Sequence, residues 1–384
     1  MLRGILVPVS LFQSEYHSDL SEIRESRIDW TLIFIVLMVV VIGLINLYSA
    51  TVDPETAKSD YFVRQSIYVM LGTFVIAALH FIEHRFFRNY AYIIYIVCLL
   101  ALISVKFIGV VRNGAKLWLS LGIINFQPSE LMKIAVIIAV ARYFHDRQEL
   151  RSLSFKSLVK PCLLIFIPAG ITIVQPDMGT GAHMAMAGVL MLLFVGIKWK
   201  VILTVMVAFL ISAPIAWKWG LHEYQKNRIR TFLNPTSDPR GIGYNSIQSM
   251  IAVGSGELIG KGFRKGTQTQ LHYTPEGHTD FIFTVLAEEW GLLGCLLFLG
   301  LYLALISRCL AISTEARDVF SLLFCIGIAC LFASQVMVNV SMVIGLFPIV
   351  GIPLPLASYG GSSILSLAIG LGIVLSISYR RNMF

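Results

Sequence analysis

One acidic side chain stands where a long polar stretch meets a long apolar one. Asp280 lies in LHYTPEGHTDF, residues 271–281, and the apolar run that follows continues to residue 307. A charge at the mouth of a membrane helix is costly to keep, which marks it as a candidate site. An ionised carboxylate there could take the proton of an attacking sugar hydroxyl, as a general base does. It could also be an ordinary first-turn acid favoured by the helix macrodipole, with Thr279 or His278 as the N-cap. Glu288 lies eight residues on, on roughly the same helix face. It could polarise the site or be a buried, hydrogen-bonded group; Glu289 follows it.

The second candidate is FQPSELMK, residues 126–133. Pro128 suits a first helical turn, with Gln127 as a weak cap. Glu130 and Lys133 are three apart, so on a helix they are neighbours. They could neutralise each other inside a membrane, or Lys133 could present a cation to an anionic group while Glu130 fixes its position. Arg64 sits near the start of another apolar run. It could snorkel to the interface, or its guanidinium fork could clamp a diphosphate. Arg112 and Lys116, in VRNGAKLWL, could steer anions, with Trp118 beside them as an interfacial anchor. Asp177 in VQPDMGTG reads first as part of a Pro-Asp turn and second as a substrate or metal ligand. PLPLASYGGSS, residues 353–363, makes an irregular helix entrance. Such backbone is tolerated at membrane depth only beside protein or a polar cavity.

These side chains need elements to hold them. The 384-residue chain is 57% hydrophobic and 14% charged, with mean hydropathy +0.77. A soluble domain carries about a quarter charged residues. Apolar runs long enough to cross the ~30 Å hydrocarbon core recur. They are continuous, without the ten-residue alternation of a membrane barrel, so the expected fold is all-α and polytopic. Ten spans are expected, near residues 30–50, 62–81, 90–110, 128–144, 158–174, 180–196, 201–219, 279–307, 319–343 and 355–379. The six cysteines lie in or beside these runs without zinc spacing, and the histidines match no metal pattern. The +8 net charge comes without a basic cluster interleaved with aromatics, so no nucleic-acid partner is expected. No cleavable signal peptide is read, because the first apolar run is long enough for a full span.

Lys and Arg concentrate in the short loops on one side, which places both termini in the cytoplasm. Residues 1–29 form an expected cytoplasmic segment, and residues 30–384 a single ten-helix membrane domain. The loop 220–278, between spans seven and eight, is then extracytoplasmic. It is basic, but the charge rule weakens for long loops. Within it, Ile247, Met250 and Ile251 at helical spacing predict a short amphipathic helix along the membrane surface, followed by a Gly-rich re-entry.

Taken in order, FQPSELMK, QPDMGTG, NPTSDPRGIGYNSIQSMIAVGSG, GTQTQLHYTPEGHTDFIFTVLAEEWG and PLPLASYGGSS resemble the SEDS family (shape, elongation, division and sporulation), across roughly residues 30–381. GTQTQL ahead of HTDF, and IPLPLASYGG, look more like the elongation (RodA-like) branch than the division (FtsW-like) branch. The resemblance implies a peptidoglycan glycosyltransferase that polymerises lipid II by inverting transfer and releases undecaprenyl diphosphate. It implies the bacterial cytoplasmic (inner) membrane, with the active site on the extracytoplasmic face. Asp280 matches the family's essential acid and is the implied base. Glu130 and Lys133 match its intramembrane pair, Arg64 its second-span arginine, and Asp177 its QPD acid. A class B penicillin-binding protein (transpeptidase) is the implied partner, with other elongation-machinery membrane proteins. The chain has no SxxK transpeptidase signature of its own. Gly277 and Trp290 depart from the family pattern, which leads one to expect a larger polar residue and a Leu. Lys133, Arg64 or a divalent cation (Mg or Mn) could neutralise the leaving diphosphate. A single inverting displacement needs one base and a stabilised leaving group, not two close carboxylates.

Two other readings fit ten spans with polar residues inside. One is a flippase for a lipid-linked cell-wall precursor, although no internal repeat with paired broken helices is visible. The other is a non-catalytic scaffold for a cell-wall synthase, which would tolerate loss of Lys133.

Overall fold

The structure, a computed structural model, describes residues 28–52, 58–112, 115–120, 125–147, 153–220, 223–238, 241–271, 273 and 277–380. Residues 1–27 of the expected amino-terminal segment lie outside them. The chain runs through α1 (Trp30–Thr51), α2 (Asp60–Phe81), the short α3 (His84–Asn89) and α4 (Ala91–Ile108). Three short strands follow: β1 (Val110–Arg112), β2 (Ala115–Ser120) and β3 (Asn125–Phe126). Then come α5 (Pro128–Arg147), α6 (Phe155–Val174), α7 (Met178–Val195) and α8 (Trp199–Ile215). The long loop holds α9 (Glu223–Leu233), α10 (Ile242–Ser255) and the single-turn α11 (Thr267–Gln270). The last three are α12 (Ile282–Thr314), α13 (Val319–Val343) and α14 (Gly361–Arg380).

Eight of these helices (α1, α2, α4, α6, α7, α12, α13 and α14) are long and apolar enough to cross a membrane. The other two expected spans fall on α5 and α8. α5 has 20 residues and carries Glu130, Lys133, Arg142, Asp146 and Arg147, while α8 has 17 residues. α5 can hold charges because it is internal: from Pro128 to Phe144 almost every side chain is buried. α13 is its partner at the centre, packed against α5, α7, α10, α12 and α14. At the periphery, α2 and α4 turn large apolar side chains outward, with Phe74 70% and Phe107 74% exposed. That is the inside-out pattern of helices facing lipid. Among the described residues, α8 packs most against its own wider-turned continuation, Ala216–Gly220, and meets the core with Val201 in its first turn.

Capping fixes several starts. Asp29 accepts from Leu32 N at α1, Ser59 from Phe62 N at α2, and Asp177 from Thr180 N at α7. The two prolines inside α6 each remove a helical donor, which membrane helices tolerate where side chains re-satisfy the freed carbonyls. Tyr95 and Tyr143 do this here, their hydroxyls donating to the Leu164 and Ser157 carbonyls that Pro168 and Pro161 leave free.

Three sequence expectations need correction. The third span ends at Ile108, and the chain beyond it forms an antiparallel sheet in the order β1-β2-β3. Val110 faces Trp118, Val111 faces Lys116, and Leu119 faces Phe126. Alternating apolar residues around an Asn-Gly pair are hairpin chemistry, and this overrides a helix-only reading of the segment. The tenth span begins at Gly361 rather than near residue 355, because 351–360 is irregular. The helix in the long loop is present as α10, but the face it buries is Gly243, Ser249 and Ala252, with Ile251 48% exposed. Small residues let α10 dock tightly on α12 and α13. Ser249 Oγ donates to the Val343 carbonyl at 2.7 Å and meets Thr284 Oγ1 at 3.1 Å.

A Gly-rich segment follows α10 directly. Helix α12 breaks at Gly291 (φ 64°, ψ −165°), a conformation open to glycine alone. The carbonyls of Glu288 and Glu289 accept from Lys261 N and Gly262 N, each at 3.0 Å. Leu292 N and Leu293 N donate to the Glu257 and Leu258 carbonyls. Gly260 lies directly against this break, so a Cβ on either glycine would strike the other segment's backbone.

Candidate active site

The starts of α2, α5, α7, α12 and α14 meet at one end of the bundle, and an irregular connection, residues 344–360, threads between them. Asp280 lies in the turn just before α12, whose first residue is Ile282 and whose N-cap, Phe281, makes no side-chain cap. The expected first-turn position, capped by Thr279 or His278, is therefore replaced by a tighter arrangement built from outside the helix. Asn339 Nδ2, from α13, donates to the Asp280 carbonyl and to the Ile352 carbonyl, both at 2.8 Å. Ser358 Oγ donates to the Thr279 carbonyl at 2.6 Å, and Tyr359 N donates to the His278 carbonyl at 3.0 Å. The Asp280 backbone is thus pinned, while its half-buried carboxylate reaches the bare Cα of Gly351: a Cβ there would stand 3.3 Å from Oδ2. Gly351 has φ 75°, which also favours glycine.

The same connection reaches the second acid. A Cβ on Gly179 would collide with the Val350 carbonyl, so the start of α7 abuts residues 350–351. Asp177 caps α7 through Thr180 N at 3.2 Å and accepts from Gln127 Nε2 at 2.9 Å. Gln127, expected to cap α5 weakly, instead bridges three helix starts, its own N–H donating to Ser362 Oγ at 3.1 Å. Burial pushes the Asp177 carboxyl above its ordinary range, and the Glu130 charge pushes the same way. Bonds from Thr180 and the Lys133 charge act against that rise. Glu130 and Lys133 are thus close enough to Asp177 to be felt electrostatically.

Glu130 and Lys133 form the predicted pair, Nζ to Oε1 at 2.9 Å, with side chains 5% and 3% exposed. Ser366 Oγ, from α14, adds a contact to the second Glu130 oxygen at 3.3 Å. Arg64 is exposed on the first turns of α2 and hydrogen-bonds the Tyr359 side chain. The neighbouring Gln65 is buried and grips the connection at both sides, donating to the Ser358 carbonyl and accepting from Gly360 N. Tyr61, His278 and Tyr359 cluster beside it, the His278 ring tilted at 4.5 Å and the Tyr359 ring edge-on at 5.0 Å from Tyr61, centroid to centroid.

Arg112 and Lys116 are in the hairpin, not in the cluster. Arg112 pairs in register with Ala115, and Lys116 is exposed opposite Val111. Glu288 does not accompany Asp280 as helix periodicity suggested. It is fully buried and accepts from Lys261 Nζ (2.7 Å), Gln268 N, Thr269 N and Thr269 Oγ1, tying the loop around α11 to the helix. Its role is to hold that loop. Glu289 accepts from Ser49 Oγ at 2.6 Å. Among the described residues, no group of three or more His, Cys, Asp or Glu could hold a metal ion.

Sequence reasoning passed over Asn339, Gln65, Ser358 and Ser362, which set the backbone of the site. The signal for Asn339 was available, since a lone amide in VMVNVSMV inside a membrane run must find partners.

The family described as "Cell cycle protein" (FtsW/RodA/SpoVE) matches residues 29–383. The chain is 40% identical over 357 residues to "Peptidoglycan glycosyltransferase MrdB" of Escherichia coli (strain K12), covering 93% of this chain and 95% of that one. It superposes with a TM-score of 0.79 and 31% identity on a chain of the structure described as "Structural coordination of polymerization and crosslinking by a peptidoglycan synthase complex", covering 92% of this chain and 98% of that one. Against the Rod shape determining protein RodA of Thermus thermophilus the TM-score is 0.68 at 29% identity, with 92% and 97% covered.

Proposed function

Because the chain belongs to the FtsW/RodA/SpoVE family of cell cycle proteins, on its RodA-like elongation side, we propose that it polymerises lipid II and that the cluster around residues 344–360 is where it does so. The chain is a bacterial membrane protein and a peptidoglycan glycosyltransferase. One observation carries the assignment of the site. A single irregular connection touches Asp280 at Gly351, the start of α7 at Val350 and Arg64 at Tyr359, and Ser362, in the first turn of α14 just beyond it, accepts from the start of α5.

In this reading the end of the bundle that holds Asp280 faces the extracytoplasmic side, both termini are cytoplasmic, and α5 and α8 complete ten spans. Asp280 accepts the proton of the acceptor sugar hydroxyl as that oxygen attacks the anomeric carbon of the donor. The bond from that carbon to the undecaprenyl diphosphate oxygen breaks, and the configuration inverts. Charge builds on the diphosphate as it leaves, and a preorganised cation in a low-dielectric site is worth most there. Lys133, held straight by Glu130, and Arg64, at the rim, are the cations on hand. Asp177 sets the α7 start and, through Gln127, the α5 start. A divalent cation (Mg or Mn) would arrive with the diphosphate, since such ions commonly use one or two carboxylates plus substrate phosphates. Arg112 and Lys116 act at a distance, drawing the anionic substrate toward this end. The partner is a class B penicillin-binding protein that cross-links the product, in keeping with the synthase complex whose chain superposes on this one, together with other elongation-machinery membrane proteins.

The test is polymerisation of lipid II by the purified chain, with and without the partner, beside the Asp280→Asn variant. Loss of a general base lowers the rate by about 10²–10⁴-fold. A variant that folds, binds its partner and still makes glycan strands at the normal rate removes Asp280 from the mechanism. Lipid flipping by Asp280→Asn in liposomes, at a rate equal to that of the unsubstituted chain, bears on the transporter alternative and leaves the polymerase assignment to the glycan assay.

A further inference from the structure

At the end of the bundle opposite Asp280, the first turns of α4, the last turns of α5 and the first turns of α6 enclose a groove of about 560 Å³. This is within the range of sites for small molecules. Its two halves differ in chemistry. One wall is apolar and open to the surroundings, with Leu163 52% and Ile167 46% exposed. The rim beyond it is charged: Arg147 and the preceding Asp146 from α5, and Lys160 from α6. Asp146 is taken by Arg142 at 3.0 Å. Arg147 and Lys160 make no ion pair among the described residues. The Arg147 guanidinium is instead laid over the Tyr143 ring, 4.9 Å from its centroid.

The groove is preformed rather than a gap left by loose packing. Tyr95 hydroxyl donates to the Leu164 carbonyl at 3.1 Å and Tyr143 hydroxyl to the Ser157 carbonyl at 3.4 Å, so side chains of α4 and α5 are fastened to α6. An apolar wall that opens sideways is covered by hydrocarbon chains in a bilayer. Two cations with no ion pair among the described residues stand at its head end and select among the lipids whose tails fit. Basic pockets between membrane helices recognise anionic head groups on this basis.

We infer that the α4–α5–α6 groove is a binding site for an anionic glycerophospholipid, with its phosphate against Arg147 and Lys160 and its acyl chains along Leu163 and Ile167. The inference does not rest on the glycosyltransferase reading, because the groove shares no residue with the Asp280 cluster. A zwitterionic lipid offers the same tails, but its ammonium group meets the same two cations and loses the selective contact.

The experiment uses the full-length protein purified in detergent and stripped of lipid. Native mass spectrometry measures retention of added phosphatidylglycerol, phosphatidylcholine and inorganic phosphate. One phosphatidylglycerol binds in preference to phosphatidylcholine. The double variant Arg147→Ala/Lys160→Ala weakens that binding roughly thirtyfold, whereas Arg147→Lys/Lys160→Arg retains it, which separates lost charge from lost fold. Ile167→Asn weakens both lipids. Equal retention of the two lipids, indifference to the double alanine variant, or displacement of the lipid by millimolar inorganic phosphate alone overturns the proposal; the last would make the rim a free-phosphate site.

Discussion

The buried pair in α5 allows structure and catalysis to be separated in one experiment. Neither Glu130 nor Lys133 is more than 5% exposed, and among the described residues the only other bond to the Glu130 carboxylate is the 3.3 Å contact from Ser366. Lys133→Ala therefore strands a carboxylate in the interior. Breaking one partner out of a buried pair costs about 3–5 kcal/mol. Replacing both partners with apolar residues of similar size removes the desolvation cost along with the attraction, and is neutral or stabilising by about 1–4 kcal/mol. Glu130→Leu/Lys133→Met should thus unfold at or above the denaturant midpoint of the unsubstituted protein, while Lys133→Ala unfolds well below it. Unfolding in mixed micelles under a denaturant titration reads this difference. Glycan-strand synthesis by the same samples reads the other role. If the ammonium stabilises the departing diphosphate, the double variant is stable but slower by roughly 10²–10³-fold, the usual loss when one preorganised charge partner is removed. A double variant that is both stable and fully active would show that the pair only neutralises itself, and the phosphate role would fall.

Asn339→Leu removes two buried bonds, to the Asp280 and Ile352 carbonyls; each carbonyl left unsatisfied costs about 1–3 kcal/mol. Polymerisation should fall with stability, and an active Asn339→Leu would mean that the Asp280 backbone is held well enough without it. Gly291→Ala forces a side chain into positive φ and into the Gly260 backbone, so a loss of at least about 1–3 kcal/mol is expected, measured by the same titration. At the opposite end, burial would raise the Asp318 carboxyl, but bonds from His84 and Ser321 and the Arg88 charge hold it well below the ordinary carboxylate range. A depressed folded pKa means stability that is present above the unfolded value of roughly 3.9 and lost as pH falls through the folded one. With the side chain 23% exposed, Asp318→Asn should cost about 2 kcal/mol at pH 7. The gap to the unsubstituted protein should close only below about pH 4; a gap already closed at pH 6 would contradict the depressed pKa.

What the sequence disclosed, and what it hid, follows from the range of the interactions. Apolar run length is a local property, so all eight long apolar helices were visible, α13 to the residue, although α12 runs on to Thr314, past the expected end at 307, and α14 starts only at Gly361. The Glu130–Lys133 pair was visible because both partners sit on one helix turn. The hairpin over 110–126 carried an Asn113-Gly114 signal, but its strands of three, six and two residues are shorter than the runs a membrane reading looks for. The direction of Glu288 was hidden for a different reason. Helix periodicity places it above Asp280, but its partners, Lys261 and Thr269, lie in a loop whose fold no local pattern fixes. Gln127 was misread similarly. Its position suggests a cap, whereas Asp177, fifty residues away, claims its amide.

The break at Gly291 divides α12 into two pieces with different attachments. The short upper piece, with Glu288 and Glu289, is bonded to the loop around α11, while the long lower piece packs in the bundle with Phe298, Tyr302 and Leu305 wholly buried. The joint is clasped from both sides: the upper segment is buried from Ile282 to Glu289, and the first amides of the lower segment, on Leu292 and Leu293, donate to carbonyls of the stretch between α10 and α11. That stretch works as a splint across the break, so the heading of the carboxylate-bearing turn is set by the extramembrane loop as much as by the helix beneath it.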